Sequence, residues 1–507
     1  MRALISVDDE TGLADFARGL REIDTEIVAD EENHAFLTQN GIDCAPLAAV
    51  TGTFCALDGQ VQLYHPAVFA GILADRGNAA HNLSLQEQGV DPFDLVVVNL
   101  PPLSEEEETP ALIDVGRQAV VQAGAENPAD VTIVVDPADY EDVLAELFRY
   151  RATRAKTRQT LAAKALSLAA SRDAKRAARL QQKLGQAFPG TFTIPLYKLY
   201  DLRYGENLHQ SAALYSTTDS ASAQPISSAR QLQGKELSFN NLLDLDAAWS
   251  MASDFSAPTV SIVRHTNPIG LAAGRDVRDA FQKAFGADSQ SAYGGIVGFN
   301  REVDEATAEE IALLYFEAII APGYSPEALQ ILGRKRAIRL LDAGGARGAA
   351  EDAPYMSLDF KRISGGFLAQ SQNIASNATA SMQVVTKRQP TLEELTDLQF
   401  AWRAVRHVKS NGVLLVRKLA VTGVGAGQMS RSGAINLACD MAGEHARGSV
   451  LASDAYLPFA EDVERVIHAG VTAIIQPGGS IKDKDVIEVA DKAGVAMLFT
   501  GLRHLKH

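Results

Sequence analysis

The chain has 507 residues, 46% hydrophobic and 22% charged, the make-up of an ordinary globular protein with room for two or three domains. Its charge is split: the first 150 residues hold 28 Asp and Glu, six Arg and no Lys, a net of −22, while the remainder comes to +6. That balance argues against generic nucleic-acid binding, no apolar run reaches the roughly 20 residues of a membrane span, and Cys44, Cys55 and Cys439 are too few for a disulfide framework, which points to a reducing cytoplasm.

The opening residues read as a strand rather than a signal peptide. Short apolar runs at 3–7, 26–28, 94–100 and 131–135 predict buried parallel strands, and helical spacing predicts helices over 11–23 and 139–150. That alternation indicates a doubly wound α/β domain. Residues 148–184 form an Ala-rich, base-rich stretch in which Leu161, Ala165, Leu168 and Ala169 recur at helical spacing. A solvated amphipathic helix explains them better than a nucleic-acid arm. Phe188-Pro189-Gly190 and Pro195 then break the pattern and mark a domain boundary. Beyond it, strands are predicted over 259–263, 449–452, 471–475 and 495–499, with no clean internal sequence repeat.

Several of these strands end in turns whose composition core packing does not require. Arg264-His265-Thr266-Asn267-Pro268 presents a base, an imidazole and an amide together. Gly423-Val424-Gly425-Ala426-Gly427-Gln428-Met429-Ser430-Arg431 reads as a glycine-rich turn opening a helix, and Gln476-Pro477-Gly478-Gly479-Ser480 as a second. Backbone N–H groups in such turns favour anions. Each signal is weak alone, since a lone histidine is more often structural and a Gly-x-Gly more often only a tight turn.

Their neighbours make the set specific: Leu202-Arg203-Tyr204-Gly205-Glu206-Asn207, Gly234-Lys235-Glu236-Leu237-Ser238-Phe239-Asn240-Asn241, Ser291-Ala292-Tyr293-Gly294-Gly295, Ile319-Ile320-Ala321-Pro322-Gly323-Tyr324, Val408-Lys409-Ser410-Asn411, Ala452-Ser453-Asp454-Ala455-Tyr456 and Thr500-Gly501-Leu502-Arg503-His504. In this order they resemble the bifunctional purine-biosynthesis family that joins an aminoimidazole carboxamide ribonucleotide (AICAR) formyltransferase to an inosine monophosphate (IMP) cyclohydrolase. The resemblance is dense over 195–507 and fainter over 1–185.

The resemblance implies a methylglyoxal-synthase-like doubly wound parallel-sheet domain over 1–188. It implies a formyltransferase domain over 192–507, made of two cytidine-deaminase-like lobes (roughly 192–385 and 386–507). It further implies a cytoplasmic homodimer with sites at the subunit interface, and AICAR and 10-formyltetrahydrofolate as co-substrates; it does not imply zinc. The zinc-deaminase signature is absent from the chain.

By the same resemblance His265 is the base that takes the proton of the aromatic amine, and Asn411 holds the carboxamide and the histidine. Arg203, Tyr204, Gly294, Glu317, Arg431, Tyr456 and Arg503 match ribonucleotide-binding positions, and Phe459, Glu461 and Pro477 match folate contacts. One departure touches the chemistry: Arg264 stands where the family carries lysine. A guanidinium supplies charge and hydrogen bonds but, as a far weaker acid than an ammonium, lends no proton. A slower but living enzyme is the expectation.

The front of the chain departs further. Ala29-Asp30-Glu31-Glu32-Asn33 stands where the family grips phosphate with Ser-Thr-Gly-Gly-Thr, so three carboxylates replace converging N–H groups. Gln60-Val61-Gln62-Leu63-Tyr64-His65-Pro66 lacks both cations of Arg-Val-Lys-Thr-Leu-His-Pro. Asn99-Leu100-Pro101-Pro102-Leu103 lacks a phenol, Gln122 to Asn127 reverses a charge, and Asp114 survives. A carboxylate about 4 Å from a phosphate charge is repelled by roughly 1 kcal/mol even in bulk water. The expectation is a formyltransferase whose cyclohydrolase is lost. A fully bifunctional enzyme and a non-catalytic nucleotide- or folate-binding regulator are the alternatives.

Overall fold

The computed structural model describes residues 1–52, 61–101, 115–217, 225–344, 358–373 and 382–507. Cys55, Asp58-Gly59, Gln60, Pro102-Leu103 and Asp114 lie outside them. The chain divides into two compact units, Met1–Pro195 and Leu196–His507.

The first unit runs β1 (Arg2–Ser6), α1 (Leu13–Glu22), β2 (Glu26–Ala29), α2 (Glu31–Gln39), β3 (Ala45–Pro46) and α3 (Ala48–Thr51). It continues with α4 (Pro66–Leu73), α5 (Ala79–Gln88), β4 (Leu95–Val98), α6 (Val115–Glu126), β5 (Thr132–Val134), α7 (Tyr140–Tyr150) and α8 (Ala155–Lys183). The strands form one parallel sheet in the order β3-β2-β1-β4-β5. Their side chains are buried almost without break, as a sheet covered on both faces requires. The connection order reverses between β1 and β4, the switch point of a doubly wound sheet.

The basic stretch is two helices rather than one. Arg151 takes a left-handed φ of 57° and ends α7. Leu161, Ala162, Ala165 and Ala169 of α8 join the core. Its bases serve the fold: Lys164 pairs with Asp136 and Asp139, and Arg158 donates to the carbonyls of Pro128, Ala129 and Thr153.

The second unit begins with the hairpin β6 (Tyr197–Leu202) and β7 (Ala212–Ser216), then α9 (Pro225–Ser228), β8 (Arg230–Gln233) and α10 (Phe239–Ser253). Next come β9 (Thr259–Arg264), β10 (Asn267–Ala273), α11 (Val277–Ala287), α12 (Ser289–Ala292), β11 (Ile296–Phe299), α13 (Glu305–Ala312), β12 (Ala318–Ala321), α14 (Pro326–Leu332) and β13 (Arg339–Asp342). A second hairpin, β14 (Leu358–Ile363) and β15 (Gly366–Ser371), precedes β16 (Gln383–Val384) and α15 (Leu392–Val405). The chain closes with β17 (Val413–Arg417), β18 (Ala420–Gly425), α16 (Arg431–Ala442), β19 (Val450–Ser453), α17 (Ala460–His468), β20 (Ala473–Gln476), α18 (Asp483–Ala493) and β21 (Ala496–Phe499).

A 12-stranded sheet carries this unit, in the order β16-β21-β20-β19-β17-β18-β10-β9-β11-β12-β13-β8. Read outward from the β18–β10 junction, the two halves are the same. Each has an antiparallel hairpin, three mutually parallel strands and an antiparallel edge strand. The structure therefore holds an internal duplication that the sequence does not display. One shared core lies under α10 and α15, where the Phe255 and Phe400 rings are 4.6 Å apart. Two separate cores lie under α11, α13 and α14 and under α16, α17 and α18.

One sequence expectation changes here. Gly423 and Gly425 belong to strand β18, not to a turn. A Cβ at Gly425 would stand 1.9 Å from the Ala434 carbonyl oxygen, so the glycine admits α16 rather than an anion.

Candidate active site

The sequence-predicted residues gather at one end of the 12-stranded sheet. β9 ends there with Arg264, and β11 and β12 begin there after Gly294 and Glu317, because β9 runs antiparallel to β11. In the second half β17 begins there after Asn411, β18 ends at Gly425, and β19, β20 and β21 end toward Tyr456, Pro477 and Arg503. A hydrogen bond joins the halves at this end: the Lys409 N–H donates to Asn267 Oδ1 at 3.2 Å.

His265 and Thr266 form the two-residue turn between β9 and β10, with Arg264 opposite Asn267. Both take left-handed φ values, 52° and 61°, the geometry that favours Asn-Gly in a type I′ hairpin. A β-branched threonine there is uncommon. The Asp244 carboxylate on α10 accepts the N–H groups of His265 at 3.1 Å and Thr266 at 2.6 Å. Asn267 Nδ2 donates to the His265 carbonyl at 3.1 Å. The Arg264 and His265 side chains are left exposed.

On the same side, Asn241 Nδ2 donates to Glu317 at 2.8 Å, and the Glu317 N–H donates to the Gly295 carbonyl. The loop carrying Arg203 and Tyr204 is tied in through Asn240, whose amide donates to the Glu206 carbonyl. Gly294 has φ 76° and donates its N–H to the Tyr315 carbonyl, a backbone that glycine adopts without strain.

In the second half, Asn411 donates from its backbone and its side chain to the Gln428 carbonyl, at 3.2 and 2.8 Å. Arg503 lies over the Tyr456 ring at 5.3 Å, and Lys482 over the Phe459 ring at 5.5 Å. Glu461 stands exposed in the first turn of α17, while Pro477 is buried and its carbonyl accepts the Gly501 N–H.

Arg431 sits differently from its expectation. It is 8% exposed, and its guanidinium is taken by Asp454 and by the Gly412 carbonyl. Asp454 also accepts the Ser410 hydroxyl and the Gly412 N–H. The turn after β20 is likewise spent internally, because the Gly479 and Ser480 N–H groups donate to the Asp483 carboxylate at 2.8 and 3.1 Å. That turn offers less to an anion than its glycines promised.

In the first unit the strand ends at the switch point are closed by their own side chains. The Arg117 guanidinium donates to Asp30 at 3.0 Å and to Ser6 Oγ at 2.9 Å, and Ser6 donates to Asp30. Asp30 caps α2 through the Asn33 N–H at 2.9 Å. Asp30 is buried and neutralised by Arg117, so it fills the place of an anion rather than repelling one. Glu31 and Glu32 are the exposed carboxylates, with Glu32 3.7 Å from Arg117.

Among the described residues no group of three or more His, Cys, Asp or Glu side chains is arranged to hold a metal ion. No described helix is long and apolar enough to cross a membrane.

A family model described as AICARFT/IMPCHase bienzyme matches residues 124–441. The bifunctional purine biosynthesis protein PurH of Bacillus cereus (strain AH820) is 42% identical over 514 residues, covering 100% of this chain and 99% of its own. The protein of the same name from Bacillus thuringiensis (strain Al Hakam) is 41% identical over the same span. The chain belongs to the AICARFT/IMPCHase bienzyme family. A solved structure described as "Crystal structure of ForH" aligns with 35% of the chain and 97% of its own at 29% identity, with a TM-score of 0.33.

Beside the sequence-predicted residues the structure places five to which the sequence alone assigns no role: Asp244, Asn241, Asp454, Lys482 and Lys506. Burial pushes the Lys506 ammonium down from its ordinary value, and it donates to the His407 carbonyl at 3.3 Å, while the Lys506 backbone N–H donates to Ser410 Oγ at 3.1 Å, next to Asn411. The signal in the sequence is position: Asn241 lies in the Gly234–Asn241 motif and Asp454 in the Ala452–Tyr456 motif.

Proposed function

We propose that the second unit transfers a formyl group from 10-formyltetrahydrofolate to the 5-amino group of AICAR. The observation that carries this reading is the exposed His265 at the tip of the β9–β10 turn, at the sheet end shared with Asn411, Glu317, Tyr456 and Arg503. The amine nitrogen attacks the formyl carbon, His265 takes the amine proton, and Arg264 and Asn411 hydrogen-bond the oxyanion and the carboxamide. Collapse breaks the bond to the folate nitrogen, which receives a proton in turn. Arg203, Tyr204, Gly294, Glu317, Tyr456 and Arg503 hold the ribonucleotide. Phe459, Glu461 and Pro477 meet the folate, and Arg431 steadies the chain beneath through Asp454.

The first unit is read as a silent cyclohydrolase, supported by the Ser6–Asp30–Arg117 closure at its switch point. A fully bifunctional enzyme is the second reading, favoured by 42% identity over the whole length to relatives named bifunctional. A cytoplasmic homodimer with shared sites completes the proposal. The exposed apolar residues of the two hairpins, among them Leu199, Tyr200, Tyr215, Phe367 and Leu368, supply surface for a second copy. Zinc takes no part in it.

The test is to supply purified protein with AICAR and 10-formyltetrahydrofolate and to identify the products. Formylated ribonucleotide accumulating without IMP is expected. IMP supports the bifunctional reading, and no turnover supports a binding protein.

A further inference from the structure

The duplication in the second unit repeats one detail to the residue. Ser238 caps α10 and Thr391 caps α15, both in capping boxes, and the sixth residue after each cap is an aspartate. Asp244 accepts the N–H groups of the residues 21 and 22 positions onward, His265 and Thr266. Asp397 accepts those of the residues 21 and 22 positions onward, Lys418 at 2.8 Å and Leu419 at 2.7 Å. Both turns join the central hairpin of their half, and all four turn residues have φ between 52° and 61°.

Two consecutive left-handed non-glycine residues cost free energy, since the Cβ of an L-residue crowds the backbone there. A carboxylate accepting both N–H groups in charge-assisted hydrogen bonds offsets that cost. The device is the same in each half, but its consequence is not. The β17–β18 turn lies at the sheet end away from Asn411 and carries Lys418 and Leu419, whereas the β9–β10 turn carries His265.

We propose that Asp244 is the positioning residue of the formyl transfer: it holds the strained turn that aims the His265 imidazole at the amine. Asp244 touches only the backbone of the turn in this role, so it sets where the base stands without touching substrate. The inference rests on the reading of His265 as the base.

Four full-length variants test it together with the wild type: D244A, D244A/T266G, D397A and H265A. Misplacing a base by an ångström costs turnover rather than binding, so D244A is expected to lower kcat about 10- to 100-fold with KM for both substrates little changed. Glycine adopts the left-handed turn freely, so T266G in the D244A chain restores most of the lost turnover. D397A lowers the unfolding midpoint without changing kcat. Wild-type turnover in D244A while H265A is dead overturns the inference alone. So does failure of T266G to restore D244A, or an equal slowing by D397A. Full turnover in H265A overturns the reading of the base, and the inference with it. Where D244A does not accumulate, D244N, which keeps one acceptor oxygen, is read by the same criteria.

Discussion

Arg431 and Asp454 form an ion pair whose side chains are 7% and 0% exposed, at the meeting point of α16, β19 and the chain around Gly412. Removing one partner of such a pair strands the other without water, at a cost of roughly 3–5 kcal/mol, whereas replacing both costs less. Arg431→Ala is therefore expected to lower the denaturation midpoint sharply, and Arg431→Met with Asp454→Asn to recover part of that loss. Steady-state kinetics of the double variant decide what Arg431 does. A KM for AICAR near the wild-type value means that it acts on the chain, while a KM raised tenfold or more means that it grips the nucleotide.

Arg264 ends β9 immediately before His265, and a guanidinium supplies positive charge and hydrogen-bond donors without serving as a proton donor. Arg264→Lys replaces it with an ammonium that both stabilises an oxyanion and exchanges a proton. Turnover is expected to rise or hold in R264K. Full turnover in purified His265→Ala would remove histidine from the mechanism.

Much of the architecture was legible in the residue pattern. The run 3–7 became β1, shifted by one residue, and the run 94–100 became β4, trimmed at both ends, because strands buried on both faces show as unbroken apolar stretches. The strand-end motifs were legible too, since turns rich in glycine, amide and imidazole serve no core. The duplication was not legible as a residue repeat, although the family resemblance implies two like lobes. Its two halves share hydrogen-bond geometry rather than residue identity, and a carboxylate that takes two backbone N–H groups marks a sequence with only one aspartate. Gly423 was misassigned because a glycine that admits a helix looks like a glycine that bends a turn. The Asp30–Arg117 pair spans 87 residues, a separation at which no local pattern signals a partner.

That pair carries the next expectation. With Arg117 and Ser6 engaged by Asp30, the polar groups of the switch point satisfy one another. Purified wild-type protein supplied with formylated AICAR ribonucleotide is expected to form no IMP above the uncatalysed rate. Arg117→Ala leaves Asp30 buried without its cation and is expected to cost roughly 3–5 kcal/mol, with Asp30→Asn in the same chain recovering part of it. IMP formation at a rate matching formyl transfer would show the first unit to be a working cyclohydrolase.

His504 sets a pH limit on the fold. It is 1% exposed, packed 4.5 Å from the Trp402 ring, and burial pushes its imidazole down to about 4. Burial lowers His407 as well, against the opposing pull of Asp254. In the unfolded chain a histidine titrates near 6.5, so between about 6.5 and 4 the unfolded state binds the proton and the folded state does not. Stability contributed by neutral His504 is thus complete above that window and falls as pH drops through it, by up to roughly 3 kcal/mol. Denaturation midpoints measured from pH 7.5 to 4.5 should fall more steeply in the wild type than in His504→Phe, which keeps the ring packed and cannot titrate. Parallel slopes in the two proteins would mean that the buried imidazole is already charged or already wet.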